Sequence, residues 1–231
     1  MPVDRAYKDF VHVCVCVPST GMWANDFGKS LALMFSHFSL HGVPGVKKAK
    51  ITLLTSVGSM LAQQRETMAL KVLQSDATHI LHLDSDMVFP MDTAARLLLR
   101  GKGFVSPNCT TRTMPPRFVA HSLEGKVMDS RGKVGLEEAQ HTGLAVALVE
   151  TRLMKRVSHP PLYFMDWVPD MKCQCGEDVF FTQRLVEVGA KIWIDHDLSQ
   201  HIKHVGTYSY SLNDLKDEVD EPECLQPAVA V

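Results

Sequence analysis

Short apolar runs closed by turn residues alternate along the first half of the chain with longer stretches of mixed character. Val11 to Val17 (VHVCVCV) is a Val-rich run with the pattern of a buried strand, and Pro18-Ser19-Thr20-Gly21 ends it. The stretch from Asp26 to Leu40 reads as a helix, and Gly42-Val43-Pro44-Gly45 as a loop. Ile51 to Leu54 is a second strand. Ser59 to Leu73 is a helix with Leu61, Met68 and Val72 on one stripe. His79 to Leu83 (HILHL) is a third strand, and it runs directly into Asp84-Ser85-Asp86.

A helix is expected from Asp92 to Leu99, with Gly101 as its stop, and a strand over Phe104 to Ser106. Residues 107–140 are rich in Pro, Gly, Arg and Lys and too long for a simple connection, so they read as a functional loop or an inserted hairpin. Gly143 to Val149 is a strand, and Asp178 to Val188 a helix capped at Gly189. Ile192 to Ile194 is the last strand expected. One domain over residues 1–212 is followed by an acidic tail, 213–231, with Pro222 and Pro227. Alternation of strand and helix implies an α/β fold: a Rossmann-like, mostly parallel central sheet with flanking helices. In such sheets ligands bind at the carboxyl ends of the strands.

Composition narrows the class. The chain has 231 residues, 45% apolar and 22% charged, with a net charge of −2, which suits an ordinary globular protein and demands neither nucleic acid nor an anionic membrane as partner. No run of apolar residues is long enough for a transmembrane helix. The first residues lack the features of a signal peptide, and two of the six cysteines lie in an apolar run, so a reducing, cytoplasmic setting is expected.

The chemistry concentrates at strand ends. In extended backbone Asp84 and Asp86 would point to one side and could meet one cation. A hard divalent ion there, Mg2+ or Mn2+, would bridge the carboxylates to a diphosphate that they would otherwise repel. Asp-Ser-Asp is equally good turn chemistry. Arg65 falls on the inward stripe of its helix and needs an anion, either Asp84 or Asp86 or the phosphates of a nucleotide. Glu177 and Asp178 open a helix, where they could serve as caps or as a general base. His196, His201 and His204 cluster after the last expected strand and make a third metal ligand plausible. Cys173 and Cys175 could join them in a zinc site, although C-x-C lacks the usual spacer.

Together these motifs resemble the nucleotide-diphospho-sugar transferase superfamily, the GT-A glycosyltransferases. The resemblance spans roughly residues 11–206 and lies mainly in SVGSMLAQQRETMALKVLQSDATHILHLDSDMVFP, in GEDVFFTQRLVEVGAKIWID and in His-Val-Gly at 204–206. It implies the GT-A fold and a nucleotide diphosphate-sugar donor. It also implies a manganese or magnesium ion held by Asp84, Asp86 and His204. By the same resemblance Pro18, Ser19, Thr20, Arg65 and Ser85 would lie with Asp84 and Asp86 at the donor, and Glu177 or Asp178 would face the acceptor hydroxyl. Many members carry an Asp after the second strand to read the nucleotide, where this chain has Thr55-Ser56. The short length and cytosolic look resemble small bacterial or phage members, which in a phage would act in the host cytoplasm. The acceptor could be a glycan, a small molecule or a modified DNA base, with Arg112 and Arg117 available to DNA phosphates. Two other classes stay open: a nucleotidyltransferase, disfavoured because Pro18-Ser19-Thr20-Gly21 is not a Gly-rich basic loop, and a non-catalytic nucleotide-sugar binding module.

Overall fold

The computed structural model describes residues 7–157, 159–168, 173–206 and 209–215, of which 167, 168, 173, 174 and 210 are described by backbone alone. The tail expected beyond residue 215 and the side chain of Cys173 therefore lie outside the described residues.

Strand β1 (Phe10–Ser19) is the axis of the fold. It pairs in parallel with β2 (Lys48–Val57) on one side and β3 (His79–Leu83) on the other. Its run is apolar apart from His12, which Asp76 and Thr52 satisfy, and Ser19 at its end, because both faces are covered. Val11, Val13, Val15 and Val17 pack under α1 (Asn25–His41) with Phe27, Leu31, Met34 and Phe38. Cys14 and Cys16 face α2 (Leu61–Leu73), with Met68, Ala69 and Val72. The two cysteines behave as small core residues.

The chain continues through β4 (Met87–Val88), α3 (Thr93–Leu99), β5 (Phe104–Ser106), β6 (Leu136–Ala139), β7 (Val146–Glu150), α4 (Thr151–Met154), β8 (Asp166–Val168) and β9 (Cys173–Cys175). It then forms α5 (Glu177–Glu187), β10 (Ile192–Asp195), α6 (His196–Ser199), β11 (Lys203–Val205) and β12 (Ser209–Tyr210). The central sheet has seven strands in the order β2-β1-β3-β7-β5-β10-β6. Five run the same way, while β7, inserted between β3 and β5, and the edge strand β6 run against them. The fold is thus a mixed α/β domain with a mostly parallel sheet flanked by helices, as the alternation predicts.

Two expectations need correction, and two open readings are decided. Residues 107–140 are not a bare loop: β6 pairs with β10, and Cys109, Phe118, Ala120 and Met128 are core residues. Buried Asn108 organises the segment, donating from Nδ2 to Met128 O at 2.7 Å and accepting Ala120 N–H at 3.1 Å. Leu61 does not join the buried stripe of α2; it is 36% exposed, and Gln64, Arg65, Met68, Ala69 and Val72 form the stripe instead. The strand at 192–194 is not the last, since β11 and β12 follow, and β11 pairs with β4 on one side and β12 on the other in a second, three-stranded sheet. Of the two readings of Asp84-Ser85-Asp86 the turn is present, with Met87 N–H donated to Asp84 O at 3.2 Å.

No helix among the described residues is long and apolar enough to cross a membrane.

Candidate active site

The carboxyl ends of β1 and β3 open into a cleft of about 590 Å3. Pro18, Ser19 and Thr20 line it from the end of β1, and Asp84, Ser85 and Asp86 from the turn after β3. Gln64 ties this rim together. Its Oε1 accepts Ser19 N–H at 3.0 Å, and its Nε2 donates to Gly58 O at 3.0 Å, so one amide joins the ends of β1 and β2 to α2. Sequence reasoning did not assign Gln64 this role, because a polar residue beside Arg65 has no periodic signature.

The turn sends the two carboxylates to different partners. Asp84 Oδ1 accepts from Arg65 Nη2 at 2.7 Å. Arg65 is buried beneath the cleft, and its Nη1 lies 3.7 Å from Glu177 Oε1. Arg65 Nε and Nη1 have no hydrogen-bond partner among the described residues, an expensive state for a buried cation. Burial opposes its charge, but Asp84, Glu177 and Asp178 together hold the guanidinium protonated beyond its ordinary range. Of the two readings for Arg65, the intramolecular pair with Asp84 is present.

Asp86 meets His204 and Arg112. β11 lies against β4 with His204 opposite Met87, and Val205 N–H donates to Asp86 O at 2.7 Å. His204 Nε2 stands 3.3 Å from Asp86 Oδ1, and Arg112 Nη1 is 2.8 Å from Asp86 Oδ2. Burial disfavours the Asp86 anion, yet His204 and Arg112 outweigh it and hold the carboxyl below its usual range. His204 Nδ1 is 2.7 Å from Thr110 O, and a carbonyl only accepts, so Nδ1 carries a proton. A neutral His204 would then aim the Nε2 lone pair at a carboxylate, an arrangement that needs a proton or a cation between them. A histidine held through its other N–H to a carbonyl is the arrangement metal ligands adopt. The donor chemistry of Asp86 and His204 therefore fits a divalent cation.

The full expected ligand set is not assembled. Among the described residues no group of three or more His, Cys, Asp and Glu side chains converges as metal ligands would. Asp84 is turned to Arg65 because the triplet is a turn. His196 is buried, with Nδ1 2.8 Å from Ser130 Oγ and Nε2 2.9 Å from Glu137 Oε2, and His201 is exposed outside the cleft lining. The three histidines thus separate, and His204 alone of them reaches the carboxylates. Elsewhere, Arg100 clamps fully buried Asp195 with two bonds of 2.7 Å at the end of β10.

The acidic pair at the start of α5 also divides. Glu177 faces Arg65, whereas Asp178 lines a second cavity of about 270 Å3, whose wall residue Thr111 precedes Arg112 of the cleft in the chain. Burial raises both carboxyls above their ordinary values, and Arg65 opposes the rise in each. Tyr163 stacks on Phe181 of α5 at 4.4 Å and its hydroxyl is 3.0 Å from His82 Nε2, which seats α5 against β3. A larger cavity, about 680 Å3 between α3 and β10, lies away from this chemistry, and its Arg96 and Arg100 are neutralised by Asp92, Asp195 and Asp197.

No protein-family model and no curated protein matches this chain. Among solved structures it is similar to A197 from STIV, with a TM-score of 0.59 at 14% identity over 92% of this chain and 98% of that one. Looser likenesses are to the catalytic domain of Drosophila beta1,4-galactosyltransferase 7 in complex with xylobiose, with a TM-score of 0.43 and 16% identity over 79% of this chain and 63% of that one. The S. aureus TarS fragment 1–349 in complex with UDP-GlcNAc gives 0.42 and 15%, over 81% of this chain and 56% of that one. The first of these shows a shared fold, spanning nearly the whole of both chains.

Proposed function

We propose that this chain is a metal-assisted glycosyltransferase that takes its sugar from a nucleotide diphosphate-sugar. The observation that carries the reading is the cleft at the carboxyl ends of β1 and β3, where Asp86 and His204 meet 3.3 Å apart beside Arg112 and the Arg65–Asp84 pair. Manganese or magnesium would be held by Asp86 and His204, with Asp84 alongside. When bound, such an ion supplies positive charge to the departing diphosphate. Pro18, Ser19, Thr20 and Ser85 form the walls available to the nucleoside.

Asp178 is the base in this reading, and Glu177 the partner of Arg65. Asp178 lines the second cavity, and Glu177 does not. The acceptor oxygen forms the new bond to the anomeric carbon as its proton passes to an Asp178 oxygen. The bond from the anomeric carbon to the phosphate oxygen breaks, and its electron pair leaves on the nucleoside diphosphate. Arg65 lies nearest Asp84 and Glu177, which leaves Asp178 as the carboxylate of the group that lines the cavity and takes the proton.

The test is a thermal-shift screen of UDP, GDP, ADP and dTDP with and without manganese. A true ligand at a hundredfold excess over its dissociation constant stabilises the native state by about 2.7 kcal/mol. No shift with any of the four diphosphates in manganese would sink the donor assignment.

A further inference from the structure

The cavity at Asp178 carries information about the acceptor. Its walls are mainly apolar, with Phe118, Val119 and Val127 facing the stacked rings of His121 and His141, whose centroids are 4.4 Å apart. Besides the histidines and Thr111, three polar side chains interrupt that lining. Asp178 stands at one end. Thr142 is 1% exposed and its Oγ1 has no hydrogen-bond partner among the described residues. A buried hydroxyl left in that state costs free energy that a ligand hydroxyl would recover. Arg117 also lines the cavity, and its guanidinium forms no ion pair or hydrogen bond among the described residues. Its neighbour on the same segment, Arg112, is occupied by Asp86.

Gly143 keeps the space open. A methyl group built there would stand 3.3 Å from Val119 Cγ2 and 3.6 Å from Asp178 Oδ2, filling the gap between wall and carboxylate. The volume of about 270 Å3 is just below the range of about 300 Å3 upward that drug-sized ligands occupy. It has room for one ring and not for a length of polymer.

We infer that this cavity takes the acceptor as a single-ring hydroxylated compound bearing a carboxylate or a phosphate, its anion at Arg117 and a hydroxyl between Thr142 and Asp178. The ring's apolar face lies against Phe118 and the Val walls, and Asp178 is left in reach of the reacting hydroxyl. This rests on the glycosyl-transfer reading for the role of Asp178, but the binding of such a ring does not need a donor. A DNA strand is not accommodated, since one free guanidinium and a one-ring cavity offer no track for successive phosphates.

Calorimetric titration of the full chain with glucuronate, glucose 6-phosphate, methyl glucoside and a single-stranded oligonucleotide tests this. At least one anionic ring should bind about tenfold more tightly than methyl glucoside, the advantage expected of a charge-assisted contact. Comparing glucuronate with glucose 6-phosphate tells which anion is preferred. Arg117→Gln should erase the anionic advantage, and Thr142→Val should weaken all three rings while keeping it. The inference is overturned by equal binding of methyl glucoside, by no binding of either anionic ring, or by a preference that survives Arg117→Gln. Oligonucleotide binding tighter than every ring and falling steeply with salt also overturns it. A parallel titration with UDP and manganese separates the two claims: if UDP fails while the anionic rings bind, the donor reading falls and the cavity assignment stands.

Discussion

Arg65 Nη2 donates to Asp84 Oδ1 at 2.7 Å from a guanidinium that is itself only 2% exposed. That single contact decides how the acidic groups of the cleft coexist. Asp84, Glu177 and Asp178 all act on Arg65, and without it they would face one another across a poorly solvated floor. Removing one partner of a buried charge set costs about 3 kcal/mol or more. Arg65→Met should therefore lower the urea-unfolding free energy at neutral pH by about 3 kcal/mol. A loss under about 1 kcal/mol, the size of an exposed pair, would show that Arg65 holds nothing together.

Asp178→Asn separates catalysis from folding. The variant should lose turnover by about a thousandfold while still binding donor, as expected for a lost general base. Burial raises the Asp178 carboxyl above its ordinary value. Its contribution to stability is thus fully present below the unfolded-state value and lost as pH rises through the folded-state value. Above its folded-state value the wild type bears the cost of a buried anion that Asn lacks, so Asn should raise Tm there. That gain should vanish on acidification. A variant with no Tm gain at any pH, or one with near-normal turnover, contradicts the assignment.

Gly176 is the cap residue before α5, with φ −67° and ψ 155°, values any L residue adopts. A methyl group there would stand 2.7 Å from Asp178 Oδ1. Gly176→Ala should therefore displace the carboxylate without straining the backbone. It should cut kcat about tenfold, because misplacing a catalytic group by a fraction of an ångström is enough for that, and leave the donor KM near its wild-type value. An unchanged kcat would place the reacting proton elsewhere.

The parallel core was legible because its strands are buried on both faces. VHVCVCV leaves no polar side to confuse the reading, and α1 and α2 cover its two faces. β6 was not legible, since LEEA carries acids that look like a loop. Glu137 in fact pairs with Lys133 and His196, and Glu138 with Lys191, so the edge strand satisfies its charges locally. β11 and β12 are three and two residues long, too short for any period, and exist because β4 offers an edge. Asp84, Asp86 and Arg65 were named from residue type and order, and His204 with the help of the family resemblance; Asp84, Asp86 and His204 line one cleft, with Arg65 buried beneath it. Residue order left the turn at the triplet as one of two readings, and did not reveal that it assigns Asp84 to Arg65 and Asp86 to His204. Thr142 carried no sequence signal, because an unpartnered hydroxyl is visible only when its surroundings are.

Arg112 Nη1 sits 2.8 Å from Asp86 Oδ2, on a side chain 56% exposed. A guanidinium there competes with a divalent ion for the same carboxylate. Arg112→Ala should tighten manganese binding severalfold in the absence of nucleotide, read by the loss of free-ion signal in electron paramagnetic resonance. Unchanged or weaker manganese binding would mean that Arg112 does not compete with the ion.

The central claim, that Asp86 and His204 form a metal-assisted diphosphate site, is tested most directly by titrating UDP into wild type, Asp86→Asn, His204→Ala and His201→Ala at fixed manganese. UDP stands here for whichever diphosphate gives the largest thermal shift. The account predicts manganese-dependent binding to wild type and to His201→Ala, and loss of that dependence in Asp86→Asn and His204→Ala with all four proteins folded. Binding that is indifferent to manganese, or that survives in Asp86→Asn and fails in His201→Ala, would contradict it.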